Sequence, residues 1–357
     1  MKIAFVIPSL HLGGAERVMS VLMNGFVEQF QTLEIHLILY GKQPTIFYNL
    51  SSKIVIHKAD FIFDKNRRLL STLKTILYLR KTLIKLNADS ILSFGEHWNN
   101  LVLLAGLGKN FSVFVSDRCQ PNKSLGKFQN LLRIWLYPKS KGVIAQTMQA
   151  KSIFHTMYEH ENIGVIGNPI SVKPKVEFLE RENIVLSVGR LITSKHQEEL
   201  IRLFVEIGKS DWKLVIVGGD ALKQKNHSKL ANLITELGIQ NRVILTGAIK
   251  DVGFWYERAS VFAFTSSSEG FPNVIGEALS YGVPVISFDC VAGPSDMITD
   301  GFNGYLVELF DFDMFRVRLA KLMDDESIRQ KMSINAPRSV LKFEESMMVQ
   351  NFFKFIT

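Results

Sequence analysis

Two carboxylates, Glu269 and Glu277, stand with seven residues between them in the stretch TSSSEGFPNVIGEALSYGVPV, residues 265–285. Glu269 falls in the loop after the apolar run VFAFTS, and Pro272 suits the first turn of a helix. Glu277 then sits one turn into that helix. Both carboxylates can line a pocket at the helix N-terminus, where backbone N–H groups favour a phosphate. Carboxylates there accept hydrogen bonds from sugar or ribose hydroxyls. Taken alone, the same pair also reads as an acid complementing the helix dipole and a solvated helix glutamate. Another acidic pair, Asp311-Phe312-Asp313, has the spacing of a metal-binding DxD. It follows GYLVELF and opens a helix, which makes Asp311 an N-cap, so no metal is expected. Cys119 and Cys290 form no CxxC or Cys/His cluster and read as two reduced thiols of a cytosolic protein.

The elements that must position these residues repeat one rhythm. KIAFVIP, LEIHLILY, SILSF, FSVFVSD and KGVIAQT read as strands, with helices over GGAERVMSVLMNGFVEQF and residues 66–86. The stretch GNPISVKPKVEFLEREN carries Asn168-Pro169 and Pro174, has no period, and reads as a linker. The rhythm then restarts. NIVLSVG, WKLVIVGG, RVILTG, VFAFTS and PVISF are strands; KHQEELIRLFVEIGK, HSKLANLITELGI, DVGFWYERA, NVIGEALSYG and the run from Asp311 to Met323 are helices. This alternation predicts an α/β protein of two Rossmann-like domains, each a parallel sheet covered by helices. The boundaries fall at residues 1–168 and 169–339, and the amphipathic tail, residues 340–357, is a candidate to pack back on the first domain. Ligands in such sheets sit beyond the carboxyl ends of the strands, so the two domains are expected to face each other across a cleft.

A length of 357 residues fits two domains, and 47% hydrophobic with 21% charged residues excludes a disordered chain. No apolar run approaches the ~20 residues that span a bilayer. The apolar N-terminus MKIAFVIPSL is too short for a signal segment, so a soluble or membrane-surface protein is expected. Net charge is +8, and it is unevenly placed: residues 1–170 hold 20 basic and 10 acidic side chains, the remainder 22 and 24. Much of the excess runs from Lys53 to Lys85, through Lys58, Lys65, Arg67, Arg68, Lys74, Arg80 and Lys81. Within residues 65–85 these cations alternate with Leu69, Leu70, Leu73, Ile76, Leu77, Leu79 and Leu83. Such a helix suits anionic lipid, phosphorylated ligands or nucleic acid, or is simply a solvated basic face.

EGFPNVIGEA followed by GVPVI resembles the signature of the family 4 retaining glycosyltransferases, which have the two-domain GT-B fold. Further pieces match in order: Gly13-Gly14-Ala15-Glu16-Arg17 is similar to the N-terminal glycine loop, and Ser187-Val188-Gly189-Arg190-Leu191 with Lys195 to the family's GRL…K motif. VIVGGD resembles its strand-end VGxG turn, VILTG the turn near the nucleotide base, and DGFNGYLV the end of the match.

The resemblance implies roles. Arg190 and Lys195 form a diphosphate clamp, one a planar fork and the other a point charge, offsetting the charge that develops on the leaving nucleotide. Gly13 and Gly14 let backbone approach the donor, or else simply shape a helix N-terminus. Gly247 lies near the base; Gly270, Phe271, Pro272 and Asn273 line the donor pocket. Glu277 takes the ribose hydroxyls and Glu269 lies by the donor sugar. Where many relatives carry a histidine, this chain has Arg118, which cannot act as a base. It is a candidate for gripping an acceptor or donor phosphate, or for a structural ion pair with Asp117 or another acid. His97, at a strand end in SFGEHWNN, is a candidate contact to sugar or acceptor, or a structural histidine. The implied donor is a UDP-sugar, with N-acetylgalactosamine first and galactose or N-acetylglucosamine next; no metal or other cofactor is required. The implied acceptor is an undecaprenyl-diphosphate-linked saccharide in O-antigen or capsule assembly. The enzyme would then sit on the inner face of the cell membrane through residues 65–85. Two rivals are a UDP-N-acetylglucosamine 2-epimerase of the same fold and a nucleic-acid-binding protein. The acidic pair opposes the first; the lack of any RNP, HTH or KH signature opposes the second. The first loop also lacks the GxGxxG of a dehydrogenase.

Overall fold

The computed structural model describes residues 1–41, 45–64, 66–172, 180–221 and 224–357. Pro174 of the expected linker and Lys65 of the basic helix lie outside the described residues. The chain divides into two units, Met1–Pro169 with Glu345–Thr357, and Ile170–Glu344.

In the first unit the order is β1 (Lys2–Ile7), α1 (Gly14–Gln29), β2 (Glu34–Leu39), β3 (Val55–Lys58), α2 (Arg68–Leu86), β4 (Ser90–Phe94), α3 (Glu96–Gly106), β5 (Val113–Ser116), α4 (Lys127–Leu136), β6 (Gly142–Ala145), α5 (Met148–Tyr158) and β7 (Ile163–Val165). The seven strands form one parallel sheet in the order β3-β2-β1-β4-β5-β6-β7. β1, β4 and β5 are buried almost throughout, which is why they read in sequence as unbroken apolar runs. β3 and β7 are short edge strands, partly exposed, and give no such run.

The second unit carries β8 (Glu182–Val188), α6 (Gln197–Ile207), β9 (Lys213–Val217), α7 (Asn226–Glu236), β10 (Val243–Gly247), α8 (Gly253–Arg258), β11 (Ala259–Phe264), α9 (Asn273–Ser280), β12 (Val285–Phe288), α10 (Pro294–Met297), β13 (Gly304–Val307), α11 (Phe312–Asp324) and α12 (Glu326–Val340). Its parallel sheet runs β10-β9-β8-β11-β12-β13. Both sheets reverse strand order beside their first strand, which opens a crevice at the carboxyl ends there. Asp311 caps α11, its side chain accepting from Met314 N at 2.9 Å.

The tail forms α13 (Glu345–Ile356) and belongs to the first unit. It packs on α1: the Phe30 and Phe353 rings stack with centroids 3.9 Å apart, and Phe26 meets Phe353 edge-on. A Cβ on Gly25 would come within 2.5 Å of Val349, so this close approach needs a glycine there. Ser90 Oγ donates to Ile356 O at 2.7 Å and ties the tail to β4.

α2, α3, α4 and α5 cover the opposite face. Their inward residues, including Leu79, Leu83, Val102, Leu136 and Phe154, form one apolar core with the strands. A polar network sits inside it. Asp117, just past β5, accepts from Arg133 Nη2 and from Tyr137 Oη, both at 2.5 Å, and from Asn99 Nδ2 at 3.1 Å. Burial pushes the Asp117 carboxyl up from its usual range, while the adjacent Arg133 pulls it down. Both side chains are almost wholly buried. Removing one member strands the other, a loss of about 3–5 kcal/mol. Arg133→Met is therefore expected to lower unfolding stability by about that amount in a denaturant titration. An unchanged midpoint would show that the pair holds nothing together.

Candidate functional site

In the second unit the ends of β8, β9 and β10 are stitched to one another beyond the sheet. Gly189 N donates to Val217 O at 2.9 Å, Gly218 N to Gly247 O at 3.0 Å, and Leu191 N to Gly219 O at 2.9 Å. Gly218 has φ +156, and a Cβ on it would lie 1.8 Å from Gly189 O. The backbones touch there, and no side chain fits between them. This contact sets the course of the chain after β8, through exposed Arg190 into the 3-10 turn Thr193–Lys195. Gln197, in the first turn of α6, donates to Arg190 O at 3.1 Å.

The loop after β11 is tied to that same turn. Ser267 N donates to Ser194 O at 2.8 Å and Thr265 Oγ1 to Lys195 O at 2.7 Å; His196 Nε2 lies 3.0 Å from Ser267 Oγ. These bonds bring Glu269 onto Lys195. Glu269 Oε1 accepts from Lys195 Nζ at 2.5 Å and from Ser266 Oγ at 2.6 Å, and the ammonium stands 4.6 Å from the Phe264 ring centre. An ammonium has three donors and a carboxylate two oxygens. The pair therefore leaves N–H groups on Lys195 for an anion, and Oε2 of Glu269 for a hydroxyl.

Glu277 is the fifth residue of α9. The helix begins at Asn273, with Pro272 at the N-cap rather than inside the first turn, and no side chain caps it. Pro272 is buried, and a Cβ on Gly293 (φ +113) would come 2.2 Å from its Cδ, so Gly293 allows that packing. Gly270 is buried. Phe271 is buried too, its ring edge-on to Phe343 at 5.1 Å, so it supports the loop from beneath. Asn273 is half-buried at the helix start. Tyr256 Oη donates to Glu277 Oε2 at 3.1 Å. Tyr256 stacks on Tyr281 with centroids 5.4 Å apart, and the half-buried Arg181 guanidinium donates to Tyr256 O, Ala259 O and Tyr281 O at 2.6–3.0 Å. Burial pushes Arg181 down to about 10, so it stays a cation at neutral pH.

Gly13, Gly14, His97 and Arg118 belong to the first unit. Gly13 precedes α1 with φ −168, extended backbone that any residue adopts, and Tyr48 Oη bonds both its N (3.1 Å) and its O (2.8 Å). Gly14 is the first residue of α1, and His97 is an exposed residue of the first turn of α3. A cavity of about 240 Å³ opens at the carboxyl ends of β1, β4 and β5, lined by Ser9, His11, Glu16, Glu96 and Arg118 among others. The Arg118 guanidinium lies 3.5 Å over the Phe94 ring and donates from Nη1 to Asn168 Oδ1 at 2.7 Å. Its Nε and Nη2 have no partner among the described residues. The alternative of an Arg118–Asp117 ion pair does not hold: Asp117 is turned into the core and spent on Arg133.

Tyr256, Ser266 and Arg133 were not legible as site or supporting residues. Ser266 stands three residues from Glu269 and invites the contact. Tyr256 and Arg133 reach their carboxylates only through the tertiary fold.

The comparisons with known proteins bear on both units. Residues 171–339 match the family model for glycosyl transferases group 1. Over its whole length the chain is 27% identical to an alpha-1,4-N-acetyl-D-galactosaminyltransferase of Campylobacter jejuni, covering 98% of it, whose name gives a diNAcBac-PP-undecaprenol-linked GalNAc disaccharide as acceptor. The lipopolysaccharide outer core galactosyltransferase WaaB superposes with TM-score 0.80 at 23% identity, covering 100% of this chain and 99% of that one. Anabaena HepE, solved with UDP, does so with TM-score 0.81 at 19% identity, covering 99% of each. The family match falls on the unit that holds Lys195, Glu269 and Glu277, and the likeness to the relatives runs the length of the chain, which belongs to the group 1 glycosyl transferases, the retaining family 4 enzymes of GT-B fold.

Proposed function

We propose that this enzyme moves a sugar from a UDP-sugar to an undecaprenyl-diphosphate-linked saccharide in O-antigen or capsule assembly, with N-acetylgalactosamine as the first donor to test and galactose or N-acetylglucosamine next. One observation carries the reading: Lys195 and Glu269 are held together where the stitched ends of β8 and β11 meet. The acceptor class is supported by the name of the Campylobacter relative, and the nucleotide by the HepE complex with UDP.

In this reading Arg190 and Lys195 hold the diphosphate, and their charge offsets the negative charge that grows on it as the sugar leaves. Glu277 takes the ribose hydroxyls. Gly247, at the carboxyl end of β10, lies by the base. Glu269 accepts from a hydroxyl of the donor sugar. The new bond forms on the face the diphosphate leaves, and the departing phosphate oxygen takes the acceptor proton, so anomeric configuration is retained without a carboxylate base. Gly13 and Gly14 approach the donor through backbone, and Arg118 grips a phosphate of donor or acceptor, with His97 as a further contact.

The basic helix supports a membrane-held acceptor, in a form that differs from the sequence pattern. Leu69, Leu70, Leu73 and Leu77 of α2 are exposed beside Arg67, Arg68, Lys74 and Lys81, whereas Leu79 and Leu83 are core. Arg80 is not part of that face: it donates to Ala105 O in the last turn of α3 and to Leu107 O just beyond it, at 2.9 and 2.7 Å. No helix among the described residues is long and apolar enough to cross a bilayer. We place the enzyme on the cytoplasmic face of the membrane, held there through this helix.

Nucleotide release, screened over UDP- and GDP-sugars with and without a lipid-diphosphate saccharide, tests the reading. Acceptor-dependent UDP release is expected, and Lys195→Met is expected to lower kcat by about 10²–10³ with an unchanged circular dichroism spectrum. Acceptor-independent conversion of UDP-N-acetylglucosamine would instead mark an epimerase. Tyr256→Phe keeps the ring stack and removes one hydrogen bond to the Glu277 carboxylate. It is expected to raise KM for the donor several-fold, about 1 kcal/mol for one hydrogen bond, with kcat little changed. An unchanged KM would remove Tyr256 from donor binding.

A further inference from the structure

α4 presents an apolar face to solvent on a helix ten residues long. Phe128 is 69% exposed, Leu131 66%, Ile134 50% and Trp135 48%, while Arg133 and Leu136 turn inward. Positions 128, 131 and 135 make one stripe at helical spacing, with 134 alongside. The chain that flanks it carries charge of one sign only. From Arg118 to Tyr158 the chain has no Asp or Glu, and Lys123, Lys127, Lys139 and Lys141, at or beyond the ends of α4, are exposed. Lys139 Nζ stands 4.9 Å from the Trp135 ring centre. The ammonium and the indole therefore stand together at the exposed end of the stripe.

We propose that α4 is a lipid-inserting element, seating Phe128, Leu131 and Trp135 among the acyl chains of an anionic bilayer while the lysines around it hold the headgroups. The proposal rests on the membrane reading of α2 and adds to it a second point of contact with a different chemistry. α2 and α4 pack in the same helical layer over the first sheet, and the exposed leucines of α2 face away from that core as the α4 stripe does. Charge selects the occupant. A second copy of this chain would bring two lysine-rich rims together, and a nucleic acid offers bases to stack on Phe128 and Trp135 but no apolar phase for Leu131 and Ile134. An anionic bilayer satisfies both the stripe and the rim. Trp beside Lys is also the pairing that suits the headgroup level.

The test uses the full chain and vesicles of phosphatidylcholine with and without phosphatidylglycerol. Binding to anionic vesicles is expected to weaken at least about tenfold in Phe128→Ser/Leu131→Ser/Trp135→Ser, whose changes are all at exposed positions. Lipids brominated in their acyl chains are expected to quench the wild-type indole fluorescence, and Trp135→Phe to abolish most of that quenching. Vesicle binding equal to wild type in the triple variant, with quenching unchanged in Trp135→Phe, would overturn the proposal. If Lys74→Glu/Lys81→Glu then lost binding, the α2 reading would survive alone. Wild-type protein that ignores anionic vesicles would overturn both. A wild-type dimer that the triple variant turns into a monomer, by light scattering, would assign the face to self-association instead.

Discussion

The ion pair between Lys195 and Glu269 joins segments 74 residues apart, and the proposed donor site is arranged around it. Pairs such as Lys209–Asp324 are about half exposed, and water screens them. Lys195 and Glu269 are only 16% and 15% exposed, so water screens them far less. The pair also rests on backbone. Gly218 presses against Gly189, the turn after β8 follows, and Ser267 and Thr265 anchor the β11 loop to that turn. A change in the backbone contact therefore reaches the charges without touching either of them.

A second, separate scaffold governs Glu277. Arg181 gathers three carbonyls, fixing the Tyr256–Tyr281 stack, and Tyr256 fixes the carboxylate. One carboxylate is held by a cation and the other by a phenol. In the proposed reading the same side-chain type serves a sugar hydroxyl in one place and ribose in the other. In the first unit the logic is similar: a buried Asp117–Arg133 pair sets the end of β5, and Arg118 follows it over Phe94.

The buried central strands were legible because strands covered on both faces leave long apolar runs. β3 and β7 were not, being short edge strands with mixed exposure. Glu269, Glu277, Arg190 and Lys195 could be singled out because their order along the chain carries the family pattern. Their supports could not. Asp117 and Arg118 are neighbours, which suggests a pair, yet successive residues of extended chain point to opposite sides. Asp117 enters the core and finds Arg133 sixteen residues on, while Arg118 turns to the cavity side. The apolar stripe of α4 faces outward, so a reading that assigns apolar residues to the core does not find its direction.

A crystal structure of the enzyme with UDP-N-acetylgalactosamine, or with UDP alone, tests the central claim most directly. A diphosphate oxygen within hydrogen-bond distance of Lys195 Nζ, with the ribose hydroxyls on Glu277, is the expected result. An ordered nucleotide whose diphosphate lies away from Lys195, with its ribose on residues other than Glu277, would contradict it.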